Sequence, residues 1–167
     1  RREAHIAGSH LLDEETGEYN IPYVRRYLKK RNVVIMNLVD RLQGLMILPG
    51  NPKSIESFND LQRKDLTFVN RQRGSGTRIL LDFKLKKSGI SDKCLRGYER
   101  EEYTHLAIAA TVAGKQADVG IGILSAARAM GLDFIPILTE QYDLIIPTEY
   151  YESDLLQPLL AIIRSVK

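Results

Sequence analysis

The chain has 167 residues, 44% of them hydrophobic, with a single cysteine and three histidines. That length and composition suit one domain or two small lobes around a real core and exclude a disordered chain; Cys94 alone allows no internal disulfide and reads as inert, and no Cys/His cluster has zinc-ligand spacing. The formal charge is only +3, but residues 60–100 hold eleven Lys/Arg against five Asp/Glu, a concentration of positive charge that attracts small anions or nucleic acid. Arg1-Arg2-Glu3-Ala4-His5 is not followed by the roughly 7–15 apolar residues of a signal peptide, and no run approaches the ~20 of a membrane helix. The expectation is a soluble, cytoplasmic chain without a membrane partner. Its abrupt start beside a strand-like segment also reads as a piece of a longer polypeptide.

In chain order, Ala4 to Leu12 is short and apolar and predicts a strand, followed by a polar, turn-rich loop over Asp13-Glu14-Glu15-Thr16-Gly17-Glu18-Tyr19-Asn20. Asn20 predicts the cap of a helix with Pro22 in its first turn, Tyr23, Val24, Tyr27 and Leu28 on one face, and Lys29-Lys30-Arg31 at its basic end. Residues 33–39 and 45–48 predict two strands around a turn at Asp40-Arg41-Leu42-Gln43-Gly44, with a helix over 36–43 as the alternative. Pro49-Gly50-Asn51-Pro52 marks a boundary, after which Ser54 and Ser57 offer caps for a short helical segment ending near Gln62.

A strand over 66–70 and a helix over 76–88 closed by Gly89 come next. Glu101 to Lys115 predicts a helix with Leu106, Ala109, Ala110 and Ala113 inward, and Ala117 to Ile123 a strand running into a second glycine-flanked turn. Ser125 to Met130 predicts a short helix ended by Gly131, residues 134–138 and 142–146 two strands, and Asp154 to Val166 a helix in which Pro158 either makes a kink or occupies the first turn. This alternation indicates an α/β architecture with mainly parallel strands and a ligand at their carboxyl ends.

The most informative stretch is Asn70-Arg71-Gln72-Arg73-Gly74-Ser75-Gly76-Thr77-Arg78. A strand that ends in a Gly-Ser-Gly-Thr turn and enters a helix aims unpaired backbone N–H groups and the positive helix end at one spot, here surrounded by three arginines. Ser75 and Thr77 offer hydroxyl donors, Gly74 and Gly76 allow close backbone approach, and Arg71, Arg73 and Arg78 neutralise charge or fork onto an oxyanion. In an extended segment Arg71 and Arg73 point the same way and Gln72 the other, so one face is structural. The bland alternative is that the arginines pair with surface carboxylates around a plain turn.

Ala7-Gly8-Ser9-His10-Leu11-Leu12-Asp13, Thr16-Gly17-Glu18-Tyr19-Asn20, Pro49-Gly50-Asn51-Pro52, the Asn70–Arg78 stretch, Tyr103-Thr104-His105-Leu106-Ala107 and Asp133-Phe134-Ile135-Pro136 are spread along nearly the whole chain. Together they resemble the periplasmic-binding-protein-like domain of bacterial and archaeal molybdate-related proteins, a domain found fused to a winged helix-turn-helix or to a molybdopterin-biosynthesis enzyme. The resemblance implies a periplasmic binding protein-like II fold of two α/β lobes that close on a ligand about two crossing strands, at Pro49-Gly50-Asn51-Pro52 and near Tyr142. Residues 1–51 and 139–167 would form the first, discontinuous lobe and 52–138 the second. The family pattern also has an earlier β-α unit with a Gly-Ser-His-Asp-type loop, and this chain begins after it, which implies a first lobe incomplete at the N-terminus.

On that fold Ser9 and His10 would end a first-lobe strand, where each either touches ligand or serves structure, and Gly122, with Gly120, would end another strand and either offer backbone N–H groups or permit tight packing. Tyr142 and Asp143 would touch ligand or lock the hinge. His5 and His105 lack ligand-spaced partners, and His105 reads as a helix-start or core residue. The resemblance implies a sensor that captures an oxyanion such as molybdate or tungstate, or a phosphate-bearing pterin, without cofactor or catalysis, and relays occupancy to a fused or partner DNA-binding or molybdopterin-biosynthesis module. The alternatives are a regulatory substrate-binding domain of a molybdenum-cofactor biosynthesis enzyme and a phosphate-ester-processing enzyme. The latter lacks a Walker Gly-Lys-Ser/Thr, a Ser-His-Asp order and paired carboxylates. Direct nucleic-acid binding through residues 60–100 lacks interleaved aromatics and a helix-turn-helix.

Overall fold

The computed structural model describes residues 4–13 and 15–165, so the opening Arg1-Arg2-Glu3, Glu14 and the Val166 end of the last helix lie outside the described residues. In chain order the elements are β1 (Ala7–Ser9), α1 (Ile21–Tyr27), β2 (Val33–Ile47), a 3-10 turn (Phe58–Gln62), β3 (Phe68–Arg71), α2 (Gly76–Lys87), a second 3-10 turn (Asp92–Cys94), β4 (Glu101–Glu102), α3 (His105–Ala113), β5 (Val119–Ile123), α4 (Leu124–Ala129), β6 (Asp133–Pro147), α5 (Thr148–Tyr151) and α6 (Gln157–Ser165). Contacts divide the chain into two compact units, Arg1–Asp40 with Glu140–Lys167, and Arg41–Thr139. The divisions fall inside β2 and β6, the first of them upstream of the Pro49-Gly50-Asn51-Pro52 turn.

In the first unit β1 pairs antiparallel with β6, Ala7 opposite Ile145 and Ser9 opposite Asp143. Ile146, Leu156 and Leu160 form its small core, with Ile6, Met36 and Leu144 packed against it. Pro158 is the second residue of α6, where its missing N–H breaks no helical bond. Asn20 does not cap α1. Its backbone is left-handed (φ 59°) and its amide turns inward, accepting from Ser9 Oγ at 2.7 Å and the Leu11 N–H at 2.8 Å and donating to Asp143 Oδ2 at 2.7 Å. A fully buried amide satisfied at both ends outweighs one capping bond. The helix stops at Tyr27, so Lys29-Lys30-Arg31 lies beyond it.

In the second unit the strand order is β2, β5, β3, β4, with β6 on the other side of β2. β3 is parallel to both β4 and β5, but β2 runs antiparallel to β5, so the strands are mixed rather than mainly parallel. Alternating side chains feed two cores. Leu45, Ile47, Phe68, Val119 and Ile121 meet Leu81 and Leu85 of α2 on one face. Met46 and Val69 meet Ile108, Ala109 and Val112 of α3 and Ala126 and Ala127 of α4 on the other. Helices on both faces require apolar residues on both faces of each strand, which is why 45–48 reads as an unbroken apolar run.

Two expected strand pairs are each one strand of 15 residues, β2 and β6. The Asp40-Arg41-Leu42-Gln43-Gly44 segment is not a turn. Gly44 sits where β6 comes close, and a side-chain carbon there would collide with the Ile135 carbonyl and the Phe134 ring. The helix expected from Glu101 begins only at His105, because Thr104 caps it by accepting from the Ala107 N–H at 3.0 Å, while Glu101 and Glu102 form β4. Leu106 and Ala110 are consequently exposed and Ile108, Ala109, Thr111 and Val112 buried.

Candidate functional site

β3 and β4 are parallel neighbours and each leads into a helix, so α2 and α3 begin at the same end of the sheet. The first N–H groups of each helix have no intrahelical acceptor, and the partial positive charge of both helix starts is presented at that end. At α2 the chain turns through Gly74 (φ 83°), Ser75 caps by accepting from the Arg78 N–H at 3.2 Å, and the Gly76 and Thr77 N–H groups lie in the open first turn. Thr77 is buried and its hydroxyl is bonded to the Gln43 side chain at 3.1 Å. Gln43 lies in the segment read as a turn, and nothing in the local pattern Leu38-Val39-Asp40-Arg41-Leu42-Gln43-Gly44 marks it, since Gln43 is buried while Leu42 is exposed.

The three arginines separate into three roles. Arg78 has a side chain only 4% exposed, bonded to Asp82 at 3.2 Å, to Glu101 at 3.2 Å and to the Arg71 carbonyl at 3.4 Å. Its guanidinium stacks 3.9 Å from the Tyr98 ring, and the Tyr98 hydroxyl donates to Asp82 at 2.7 Å. Burial opposes the Arg78 charge, but the bonds to Tyr98 and Asp82 prevail and raise its pKa; burial and then the Asp82 bond push the Tyr98 phenol up. Arg73 is on the surface, paired with Glu99 at 2.8 Å and Glu101 at 3.8 Å. It does not share a face with Arg71, because the strand ends at Arg71 and the chain has already entered the turn.

Arg71 is different. It is 9% exposed, on the α3 side of the sheet with Val69, and it donates to Gln72 Oε1 at 3.0 Å and to the Tyr103 carbonyl at 3.0 Å. Glu102 is its register partner on β4, yet that carboxylate accepts from Thr111 Oγ1 at 3.4 Å, and among the described residues no carboxylate forms an ion pair with Arg71. Burial alone shifts its pKa, downward, with no neighbouring charge to compensate. A buried guanidinium with unfilled donors beside the first turn of α3 is suited to receiving an anion.

The other expected site residues are placed as follows. Gly122 is in β5 beneath α3, where an added side-chain carbon would lie 2.7 Å from Met46 Cε and 3.3 Å from His105 Nδ1. In the first unit the Ser9 hydroxyl is committed to Asn20, and His10 stacks on Tyr142 with ring centroids 5.3 Å apart. Asp143 is buried and also accepts from Asn37 Nδ2 at 3.2 Å. A surface depression of about 380 Å³ in the first unit, lined by Lys30, Arg31, Asn32, Pro147 and Thr148, offers only surface side chains. Among the described residues no group of His, Cys, Asp and Glu could hold a metal, and no helix is long and apolar enough to cross a membrane.

Two α/β units joined through two long strands define the architecture of a two-lobe, type II domain. The profile of the PBP superfamily domain matches residues 1–164, and the chain belongs to that family. It is similar to the uncharacterized protein YvgK of Bacillus subtilis (strain 168), 43% identical over 141 residues that make up 84% of this chain and 46% of that protein. The chain thus spans about half the length of this relative. Among solved structures, the regulatory domain of CcmR from Synechocystis PCC6803, in complex with 2-PG, superposes with a TM-score of 0.71 at 15% identity over 99% of this chain and 74% of that one. The ancestral amino acid-binding protein AncCDT-1, a precursor of cyclohexadienyl dehydratase, gives 0.56 at 18% identity over 83% of this chain and 57% of that one. At such identities these two likenesses speak to the fold.

Proposed function

We propose that the chain is a small-ligand-binding, regulatory domain that takes an anionic group between Arg71 and the first turns of α2 and α3. The observation that carries this reading is the buried Arg71 guanidinium, which has two neutral acceptors and, among the described residues, no ion-paired carboxylate. A cation desolvated in this way gains most from a charge that arrives with a ligand. Arg73 and Arg78 already hold carboxylates and are assigned structural roles. Thr77 and Gln43 fix the start of α2, and Gly76 and Thr77 offer backbone N–H groups.

The similar proteins support binding or regulation rather than catalysis: one is a regulatory domain solved with 2-PG and another binds amino acids. Molybdate and tungstate enter through the sequence resemblance, and a carboxylate or phosphate on a small organic molecule satisfies the same donors. Coupling to a DNA-binding or other output module, fused or separate, is the corresponding proposal for the partner.

Thermal unfolding in the presence of phosphate, sulfate, molybdate, tungstate and glutamate tests this. A ligand at a hundred times its Kd adds about 2.7 kcal/mol to stability, so at least one anion is expected to raise the midpoint, and Arg71→Met to cancel the rise. No rise with any anion contradicts the reading.

A further inference from the structure

The surroundings of Arg71 say more about the ligand than its charge. Tyr103, whose carbonyl binds the Arg71 guanidinium, is 73% exposed, and Leu106, one turn further along at the start of α3, is 54% exposed. In the second unit the other exposed large apolar residues, Leu42 and Met130, are less so, at 40% and 39%. The two most exposed large hydrophobic residues of this unit therefore lie within one helical turn of each other in the chain, at a helix start where a buried cation has no ion-paired carboxylate among the described residues. Single exposed apolar residues are ordinary, but two of them three positions apart in the chain, the first bonded through its carbonyl to a buried cation, have the composition of a ligand site.

A bare tetrahedral oxyanion would use only the guanidinium and the backbone N–H groups, leaving both side chains in water. We infer that the ligand is an organic anion, with an apolar, ring-sized body attached to its carboxylate or phosphate, and that Tyr103 and Leu106 cover that body while Arg71 holds the head. This rests on the anion reading of Arg71 and adds the chemical class of the ligand. Tyr103 is suited to the task because a rigid aromatic ring covers flat apolar surface at small entropic cost. Its position is fixed by its own backbone, which is tied to Arg71 on one side and to the Thr104 cap on the other.

The test compares matched pairs on the full chain by isothermal titration: inorganic phosphate with phenyl phosphate, and acetate with phenylacetate. For whichever head group binds, the phenyl member is expected to bind about tenfold tighter or more. Tyr103→Ala and Leu106→Ser, both at exposed positions, are expected to weaken the phenyl member more than the unsubstituted anion and so to shrink that advantage. Equal affinities within a pair, or an advantage that survives both substitutions, overturn the inference while leaving the anion reading intact as long as Arg71→Met still abolishes binding. If none of the four probes binds, the inference falls while the anion reading is decided by the wider set of anions; if Arg71→Met leaves affinity unchanged, both fall together.

Discussion

Replacing Arg78 with Met removes a cation whose side chain is 4% exposed and which makes bonds of 3.2 Å to Asp82, 3.2 Å to Glu101 and 3.4 Å to the Arg71 carbonyl. It also removes the stack at 3.9 Å on Tyr98, while the Met side chain keeps most of the apolar stem buried. The acidic partners are partly hydrated, 41% exposed for Asp82 and 26% for Glu101, so the loss falls short of that for a fully buried pair. About 1 kcal/mol for the ring stack and about 0.5–1 for each screened ion pair give a cost of about 2–3 kcal/mol. At roughly 2–4 °C per kcal/mol for a chain of this size, the midpoint falls by about 4–12 °C. Urea and thermal unfolding followed by circular dichroism measure it. Arg73→Ala is the internal control, because a surface pair of this kind is worth at most about 1 kcal/mol. If Arg78→Met costs no more than Arg73→Ala, the assignment of Arg78 to structure is wrong.

The remaining predictions concern single contacts. Thr77→Val keeps the shape but strands the buried Gln43 amide, bonded at 3.1 Å, and is expected to cost about 1–3 kcal/mol by urea unfolding. Asn20→Asp places a second carboxylate against buried Asp143; it should destabilise the chain at neutral pH and recover in part on acidification, and a flat pH response would contradict the Asn20–Asp143 bond. The N–H groups of Glu56 and then Ser57 hold the Asp60 carboxyl below its ordinary 3.8. Its contribution is therefore complete above that value and lost as pH falls through the lower folded-state pKa, so Asp60→Asn should flatten the acid limb of the stability profile. Ser75→Ala removes the α2 cap and should cost about 1 kcal/mol.

Local chemistry made much of the second unit legible. The β3-turn-α2 segment and the closing Gly89 follow from periodicity and glycine placement, because turns and caps are decided within a few residues, whereas the expected second glycine-flanked turn is absent: Gly120 and Gly122 lie inside β5 and α4 begins directly at Leu124. Elements governed by tertiary contacts were not legible. Gly44 looks like a turn residue but makes room for a neighbouring strand, and Asn20 looks like a cap but is the centre of a buried bond network joining residues far apart in sequence. The arginine cluster shows the same limit: its charge was visible, but Glu99, Glu101 and Asp82 neutralise Arg73 and Arg78 through contacts that spacing does not reveal. Tyr103 enters the site through its backbone carbonyl, and the Thr104 cap that follows was the sequence signal for that helix start.

The central claim is that Arg71 is the anion anchor of this domain. Isothermal titration of wild-type, Arg71→Met and Arg73→Ala chains with the anion that most raises the melting midpoint tests it directly. The account predicts heat of binding that persists in Arg73→Ala and disappears in Arg71→Met, with Arg71→Met still folded by circular dichroism. Undiminished binding by a folded Arg71→Met chain would contradict it.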